Sequence, residues 1–236
     1  MPQANFSFSI DLVKILERAQ RLPIKSLVLL FGILVVFVMA PLAVGSGGFG
    51  LLARMLYHLV FCLGGYLLFS SKNWIVAYLV VALPAFSFGV LTETAWNRPG
   101  ITVTSSALII ILQLLLIVAI IRFTLYDSSA GRLDRVIAGI CGYFIIGLLW
   151  TDLYQIVNIY CPDGFRTAEG VGRLPDDGSS MYYSFVTLTT LGYGDISPAN
   201  PWTRMLGSLQ AVSGTLYIAV LISSLVGRDQ RSQDPS

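Results

Sequence analysis

Residues 181–198 read MYYSFVTLTTLGYGDISP, a short helix-forming segment that runs into two glycines spaced two residues apart. The helical part, Ser180 to Thr190, would be about 16 Å long at 1.5 Å per residue, too short to cross a bilayer. Because long apolar stretches flank it, the chain must enter the membrane and turn back, either buried in protein or lining a watery cavity. A helix ending near the midplane points the negative end of its dipole inward, where a cation is stabilised.

The two glycines predict an unusual backbone after this short helix. Gly192 and Gly194 can take positive φ without a Cβ penalty. Alternating left- and right-handed dihedrals would turn successive carbonyl oxygens to one side, and the Thr190 hydroxyl would add an oxygen at the inner end. One chain supplies a single oxygen per layer, which cannot replace the water around a cation. Four identical chains around an axis satisfy that count, so we expect a homotetramer.

The composition indicates a chain whose solvent is mostly lipid. Of the 236 residues, 55% are hydrophobic and 12% are charged, whereas soluble domains carry about 25% charged residues. The net charge of +2 excludes an overall basic nucleic-acid binder. A single histidine and three cysteines without CxxC spacing support neither a metal site nor a disulfide framework. The sequence also lacks HExxH and GxSxG, so we expect a membrane protein that is not an enzyme.

Apolar stretches near the ~20 residues that a helix needs to cross the hydrocarbon recur along the chain. Six transmembrane helices are predicted, at 27–45, 51–70, 74–92, 101–121, 136–157 and 202–227. The first apolar run is longer than a signal-peptide core of roughly 7–15 residues, so we expect it to be retained. Only a few residues follow Gly227, and we expect no cytoplasmic ligand-binding domain there.

Basic residues predict the orientation of these helices. Ten of the fifteen lysines and arginines fall on one side of the predicted bundle: Lys14, Arg18, Arg21, Lys25, Lys72, Arg122, Arg132, Arg135, Arg228 and Arg231. This side is predicted to be cytoplasmic, with both termini on it and the protein in the plasma membrane.

The run from Thr187 to Asp195, TLTTLGYGD, strongly resembles the signature of potassium channels. The resemblance covers roughly residues 136–227 and is best matched by small prokaryotic six-helix channels with an ion-channel-2 type pore domain. It implies an all-α membrane protein with six transmembrane helices, a re-entrant pore helix and a selectivity filter, assembled as a tetramer that passes K⁺ passively. No cofactor is expected, K⁺ ions would be bound in the filter, and membrane lipid would be a further partner.

Carried over by position, Thr190, Leu191, Gly192, Tyr193 and Gly194 resemble the filter. Leu191 stands where valine or isoleucine is more usual. Further residues are expected to support it. Asp195 resembles the aspartate that ties the outer mouth to the pore helix, and the family's pore-helix aromatics fall at Tyr182 and Tyr183. By the same resemblance, Thr187 and Thr189 hold the pore helix against the filter.

Around a pore domain at 136–227, four further segments are expected. They are a cytoplasmic segment at 1–26 with a possible interfacial helix, a four-helix domain at 27–121, a cytoplasmic linker at 122–135 and a cytoplasmic tail at 228–236. The helix at 101–121 contains no Lys or Arg, whereas steep voltage sensing takes about 3–4 gating charges per subunit. We therefore expect weak or no voltage dependence.

Gly214 lies at the spacing of the family's hinge glycine, although close helix packing explains a membrane glycine equally well. Beyond it, the resemblance places one helical face along the inner cavity: Thr215, Ile218, Ile222 and Val226. A poorly selective cation channel is the nearest alternative function, and a potassium transporter subunit is a more distant one.

Several residues keep open interpretations. Arg54 and His58 share one helix face and favour snorkelling, with Glu93 as a partner, over a proton relay. Asp152 could contact the pore helix or lie in the interface, and Cys161 could form an intersubunit disulfide. The acidic outer loop is expected to be a solvated loop. Neither the gating stimulus nor the packing of the first four helices, on their own pore domain or a neighbour's, follows from the sequence.

Overall fold

A computed structural model describes residues 24–43, 47–68, 72–94, 99–126 and 131–233. Most of these residues lie in helices, with three very short strands in the outer loop. The helices are α1 (Ile24–Ala43), α2 (Gly47–Leu68), α3 (Lys72–Thr94), α4 (Pro99–Tyr126), α5 (Arg132–Tyr160), α6 (Asp177–Leu188) and α7 (Pro201–Gln233). The strands are β1 (Phe165–Thr167), β2 (Gly170–Gly172) and β3 (Ser197–Pro198).

Each of the six predicted spans corresponds to one long helix among the described residues. Four helices are long and apolar enough to cross a membrane, over Asn73–Thr92, Pro99–Leu125, Arg132–Tyr160 and Pro201–Ser224. The apolar parts of α1 and α2 are shorter, at Lys25–Met39 and Leu51–Gly65. A membrane protein with four such helices is therefore established, and the count of six spans stays a prediction.

The helix ends differ from the sequence prediction most at the C-terminal ends of α4 and α7 and at the starts of α2 and α5. Helix α5 begins at Arg132, four residues early, with Asp134 in its first turn, where a carboxylate is favourable to the helix dipole. Its side chain accepts a hydrogen bond from Ser26 of α1. Residues 122–126 and 132–135, expected in a linker, are thus helical. The predicted segment at 1–26 lies almost entirely outside the described residues.

Two of the first four helices, α1 and α4, pack on α5 of the same chain. Helix α4 lies along α5, and α1 also contacts it. The buried residues of this core come from every one of these helices and include Ile33, Phe61, Tyr78, Leu112, Leu116, Ile120 and Ile145. Within one chain, therefore, the first four helices share a continuous apolar core with α5 and α6.

The outer loop contains a small three-stranded sheet, and its acidic residues Asp163 and Glu169 are exposed. Strand β1 pairs antiparallel with β2 on one side and with β3 on the other. Arg166 thus lies opposite Val171 and Ser197. Gly170 closes the β1–β2 hairpin with a φ of 119°, in the region that glycine favours. The sheet joins the chain before α6 to the chain that follows the glycine loop.

A buried cluster anchors this sheet to the helices. Phe165 and Leu174 of the loop pack with Tyr154 of α5 and Tyr183 of α6. Asn158 completes the attachment, since its side chain donates to the Leu174 carbonyl at 3.0 Å and accepts from the Leu174 amide at 2.7 Å. The loop is therefore fixed to the end of α5.

Candidate functional site

The short helix before the glycines, α6, begins three residues earlier than predicted. Asp176 is its N-cap, with Oδ1 accepting hydrogen bonds from the Ser179 amide at 2.7 Å and the Ser179 hydroxyl at 2.9 Å. An aspartate cap satisfies amide groups that the first turn leaves free, and Asp177 in that turn favours the dipole. The helix ends at Leu188, and no second helix continues from it.

The glycine loop folds back onto the end of α6 through its backbone. The amides of Leu191 and Gly192 donate to the Val186 carbonyl at 3.0 and 3.3 Å, and the Thr190 amide donates to the Thr187 carbonyl at 3.0 Å. These bonds occupy carbonyls that the helix end would otherwise leave without a partner. The position of α6 therefore sets the position of the inner half of the loop.

Three residues of the loop, each two apart, have positive φ: Thr190 at 58°, Gly192 at 57° and Gly194 at 81°. Positive φ was predicted at the two glycines. Thr190, however, is the one non-glycine residue with positive φ in the described part of the chain. For an L-residue this conformation costs about 1–2 kcal/mol. Positive φ at every second residue of 190–194 is the backbone pattern from which we expect successive carbonyl oxygens to face one side.

The outer end of the loop is tied to α6 through side chains. The Tyr182 hydroxyl donates to Asp195 Oδ2 at 2.6 Å, and Asp195 Oδ1 accepts from the Ile196 amide at 3.0 Å. The Tyr182 hydrogen bond holds the pKa of Asp195 below its usual value. The same bond raises the pKa of Tyr182 to about 12. Asp195 is thus hydrogen-bonded to α6, through the hydroxyl of Tyr182.

The Thr189 side chain forms its hydrogen bond within its own helix and not with the glycine loop. Its exposed hydroxyl donates back to the Phe185 carbonyl of its own helix at 2.7 Å, because a threonine in a last helical turn can reach the carbonyl four residues earlier. Thr187 contacts the loop by its backbone carbonyl.

The second aromatic, Tyr183, lies buried between Tyr154 and Phe165, with ring centroids 4.9 and 5.2 Å away. It anchors the outer sheet, away from the loop.

Helix α7 packs on α5 and α6 through small and polar side chains. Thr203, Gly207, Gln210 and Gly214 recur at steps of three to four residues and are all buried. A Cβ on Gly214 would lie 2.7 Å from the Leu188 carbonyl oxygen, too close for any residue but glycine. Close packing therefore accounts for Gly214, and a hinge there stays a prediction.

The residues expected along an inner cavity lie on the other faces of α7. Thr215, Ile218 and Ile222 are exposed in the single chain. The Thr215 hydroxyl donates to the Ala211 carbonyl at 2.9 Å. The side chain of Val226 lies outside the described residues.

A buried polar cluster behind α6 was missed by sequence reasoning. Gln210 of α7 bonds to Tyr154 of α5 and to Ser184 of α6. Nearby, Trp150 Nε1 donates to the Ser213 hydroxyl at 3.2 Å. The only signal in the sequence was a lone glutamine in an apolar helix, which is costly in lipid unless it is hydrogen-bonded.

Asp152 lies where α5 meets α2 and α4. Its buried carboxylate accepts a hydrogen bond from the Tyr57 hydroxyl of α2 and another, at 2.8 Å, from Gln113 Nε2 of α4. Gln113 Nε2 also lies 2.8 Å from the Tyr57 oxygen. Asp152 therefore joins the N-terminal helices to α5.

The other residues with open interpretations lie away from the glycine loop. His58 is buried in the helical bundle, with Nε2 3.5 Å from the Ser105 hydroxyl. The side chains of Arg54 and Glu93 are outside the described residues. Cys161 is half-buried and forms no disulfide within the chain.

Comparison with known proteins assigns the region around this loop. Residues 153–228 match the family described as "Ion channel". A protein of Rhodopseudomonas palustris that carries a potassium channel name is 28% identical over 114 residues, covering 47% of this chain and 27% of the relative. The human A-type voltage-gated potassium channel is 31% identical over 88 residues, covering 36% and 13%.

The matched region is short in each case. A two-pore potassium channel of Arabidopsis thaliana is 36% identical over 47 residues, or 20% of this chain and 12% of the relative. The chain thus spans at most about a quarter of the length of these relatives, and no solved structure matches it. In its TLGYGD loop, in the short helix before that loop and in these matches, the C-terminal region of this chain is similar to potassium channel pores.

Proposed function

We propose that this chain is one of four identical subunits of a potassium-selective channel, in which K⁺ passes through a filter made by residues 190–194. The observation that carries this proposal is the alternation of positive φ at Thr190, Gly192 and Gly194 directly after a short helix. Backbone oxygens arranged in this way on four chains replace the hydration shell of K⁺. The K⁺ ions in the filter are the only ligands in the proposal.

Exposed side chains around the loop support an assembly of several chains. Leu191 and Tyr193 are 54% and 67% exposed in the single chain, although they belong to a loop that lies between two long apolar helices. A further apolar strip of α7, formed by Leu209, Val212 and Leu216, is exposed as well. Neighbouring subunits around a fourfold axis would cover the loop side chains, and closed symmetry leaves no free interface.

The N-terminal helices support a channel with weak or no voltage dependence. Arg122 is the only basic residue in α4, and one charge per subunit gives a much shallower response than the 3–4 of typical sensors. In the proposal these helices lie beside the pore domain of their own subunit, and the packing of α1 and α4 on α5 within one chain supports this. In the proposal the channel lies in the plasma membrane with both termini in the cytoplasm.

The proposal is tested by potassium flux into liposomes that contain the purified protein. In the Gly192→Ala variant we expect flux to be lost. A Cβ at Gly192 meets no atom of its own chain within 4 Å, so the change acts through backbone conformation, at about 1–2 kcal/mol in every subunit. Gly172→Ala is the matched control, because Gly172 has open space around it without a positive φ, and it should conduct as wild type. Unchanged flux in Gly192→Ala would overturn the filter assignment.

Two further measurements separate the proposal from its alternatives. Reversal potentials in mixed K⁺ and Na⁺ solutions distinguish a potassium-selective pore from a poorly selective cation channel. The native mass in detergent tests the fourfold assembly, and a monomer as the conducting unit would refute it. Passive flux without a coupled ion or nucleotide distinguishes a channel from a transporter subunit.

A further inference from the structure

Gln210 of α7 stands at the meeting point of three helices. Its Oε1 accepts a hydrogen bond from the Tyr154 hydroxyl of α5 at 2.7 Å. Its Nε2 lies 2.9 Å from the Ser184 carbonyl and 2.8 Å from the Ser184 hydroxyl of α6. The Ser184 hydroxyl in turn donates to the Gly147 carbonyl of α5 at 2.7 Å. Gln210, Ser184 and Tyr154 are all fully buried.

The chemistry of these contacts fixes the orientation of the amide. The acceptor end faces a hydroxyl donor on α5, and the donor end faces two oxygens on α6. A flipped amide would place its oxygen against the Ser184 carbonyl, where two acceptors would face each other, so the NH₂ group must face α6 and the oxygen must accept from Tyr154. A side chain able both to accept on one side and to donate on the other is therefore required at this position.

The cluster lies directly behind the part of α6 that carries the loop. Ser184 precedes Val186 and Thr187, whose carbonyls hold the amides of Leu191, Gly192 and Thr190. Those loop positions include two of the three residues with positive φ. A shift of α6 relative to α5 and α7 would therefore move the inner half of the loop with it.

We propose that Gln210 is a positioning residue for potassium conduction. It holds α6 between α5 and α7 so that the loop keeps its conducting geometry, and Ser184 is its partner. This proposal rests on the function proposed above. It differs from a packing role because it requires hydrogen bonding in a defined direction, which a side chain of equal size without donor and acceptor cannot supply.

The test compares Gln210→Met with Gln210→Glu in potassium flux at pH 5. Methionine fills similar space but offers no donor, so flux should fall by about tenfold, the change expected for one lost hydrogen bond. Burial at this position disfavours the ionised carboxylate, so that a glutamic acid there is protonated at pH 5. The protonated group can accept from Tyr154 and donate to Ser184, so Gln210→Glu should restore most of the flux. An ionised carboxylate has no donor, so the rescue should decline as the carboxyl group ionises at higher pH.

The groups around the site that could titrate do not obscure this result. Tyr154 on α5 and Tyr183 on α6 are phenols, which ordinarily titrate near pH 10. Asp152, on the neighbouring turn of α5, faces Tyr57 and Gln113 instead of Gln210. The wild type, measured over the same pH values, serves as the reference for any other titrating group.

A milder variant keeps the proposal testable should changes at Gln210 disturb assembly. Ser184→Ala removes the hydroxyl that joins Gln210 to Gly147, and alanine favours the helix. We expect it to assemble with the native mass of the wild type and to show reduced potassium flux and reduced preference for K⁺ over Na⁺.

The outcomes separate this proposal from the function on which it rests. Wild-type flux in Gln210→Met or in Ser184→Ala, or equal flux for Gln210→Met and Gln210→Glu at pH 5, would overturn the positioning role. If the wild-type protein itself carries no potassium flux, or if Gly192→Ala conducts normally, the proposed function fails and the positioning role fails with it.

Discussion

The Tyr182 hydroxyl donates a 2.6 Å hydrogen bond to Asp195 across the outer end of the glycine loop. The inner end of the same loop is bonded to the Val186 carbonyl. The loop is therefore held to α6 at both ends, by backbone at the inner end and by two side chains at the outer end. The outer attachment is the more vulnerable, because both of its side chains are exposed in the single chain.

Removing this outer hydrogen bond should shorten the time for which the loop stays conductive. In Tyr182→Phe we expect initial potassium flux like that of the wild type, followed by a faster decline, because Asp195 loses its main partner. Time-resolved flux or single-channel recording measures this. Tyr160→Phe is the matched control, since Tyr160 is 68% exposed at the end of α5. Identical decay in Tyr182→Phe and Tyr160→Phe would show that the bond has no part in conduction.

The charge of Asp195 should be constant over the physiological pH range. The pKa of Asp195 is held below its usual value by the Tyr182 hydrogen bond, and unperturbed aspartates titrate near ~3.9. A lowered pKa means that the contribution of the ionised group is complete above the unfolded value and is lost only as pH falls through the folded value. The pKa of Tyr182, raised to about 12, keeps the donor protonated throughout.

We therefore expect the ratio of potassium flux in wild type to that in Asp195→Asn to be constant from pH 8 to about pH 5. The ratio should approach one only in more strongly acidic solution. Other titrating groups, such as His58, occur in both proteins and cancel in the ratio. A ratio that already falls by half near neutral pH would contradict the assignment of a lowered pKa to Asp195.

The sequence predicted those features that depend on local residue pattern. Long apolar runs marked the six long helices to within four residues at each end, except that α4 and α7 extend further at their C-terminal ends. Glycine chemistry predicted the positive φ of Gly192 and Gly194. Thr190 escaped prediction, because a threonine gives no signal for this conformation; the bonds between the loop and α6 impose it.

Contacts between distant parts of the chain could not be predicted from the sequence. The three-stranded outer sheet pairs Arg166 with Ser197 across the whole of α6 and the loop, and strands of two or three residues have no readable periodicity. Gln210 and Ser184 lie on different helices, as do Tyr57 and Asp152. Their partners could be found only once the helices were placed against each other.

The Tyr57–Asp152 hydrogen bond between α2 and α5 should stabilise the packing of the N-terminal helices on the pore domain. A double-mutant cycle with Tyr57→Phe and Asp152→Leu, measured by unfolding in detergent, should give an interaction free energy of about 0.6–1.7 kcal/mol. Pairing Asp152→Leu with Tyr160→Phe is the control and should be additive, because distant residues do not couple. Additivity of Tyr57→Phe and Asp152→Leu would instead show that the contact contributes nothing to stability.

Gly214 lies close to α6, and the effect of Gly214→Ala on the free energy of unfolding should distinguish a packing role from a hinge. A packing role predicts a loss of stability and a hinge predicts a gain. The Leu188 carbonyl accepts a hydrogen bond from Tyr143 at 3.2 Å, and a Cβ on Gly214 would press on that carbonyl from 2.7 Å. Gly214→Ala should therefore destabilise the protein by about 1–3 kcal/mol, the usual cost of overpacking, and reduce potassium flux.

A glycine kept only for bending would give the opposite result in an unfolding experiment. Alanine is favoured over glycine within a helix by about 0.8–1.0 kcal/mol, so Gly214→Ala would then raise the free energy of unfolding while impairing gating. Gly100→Ala is the matched control, because Gly100 lies in α4 with no atom within 4 Å of an added Cβ, and it should not lower stability. A stabilised Gly214→Ala would contradict the packing assignment and favour the hinge, whereas a destabilised variant would assign Gly214 to the contact between α7 and α6.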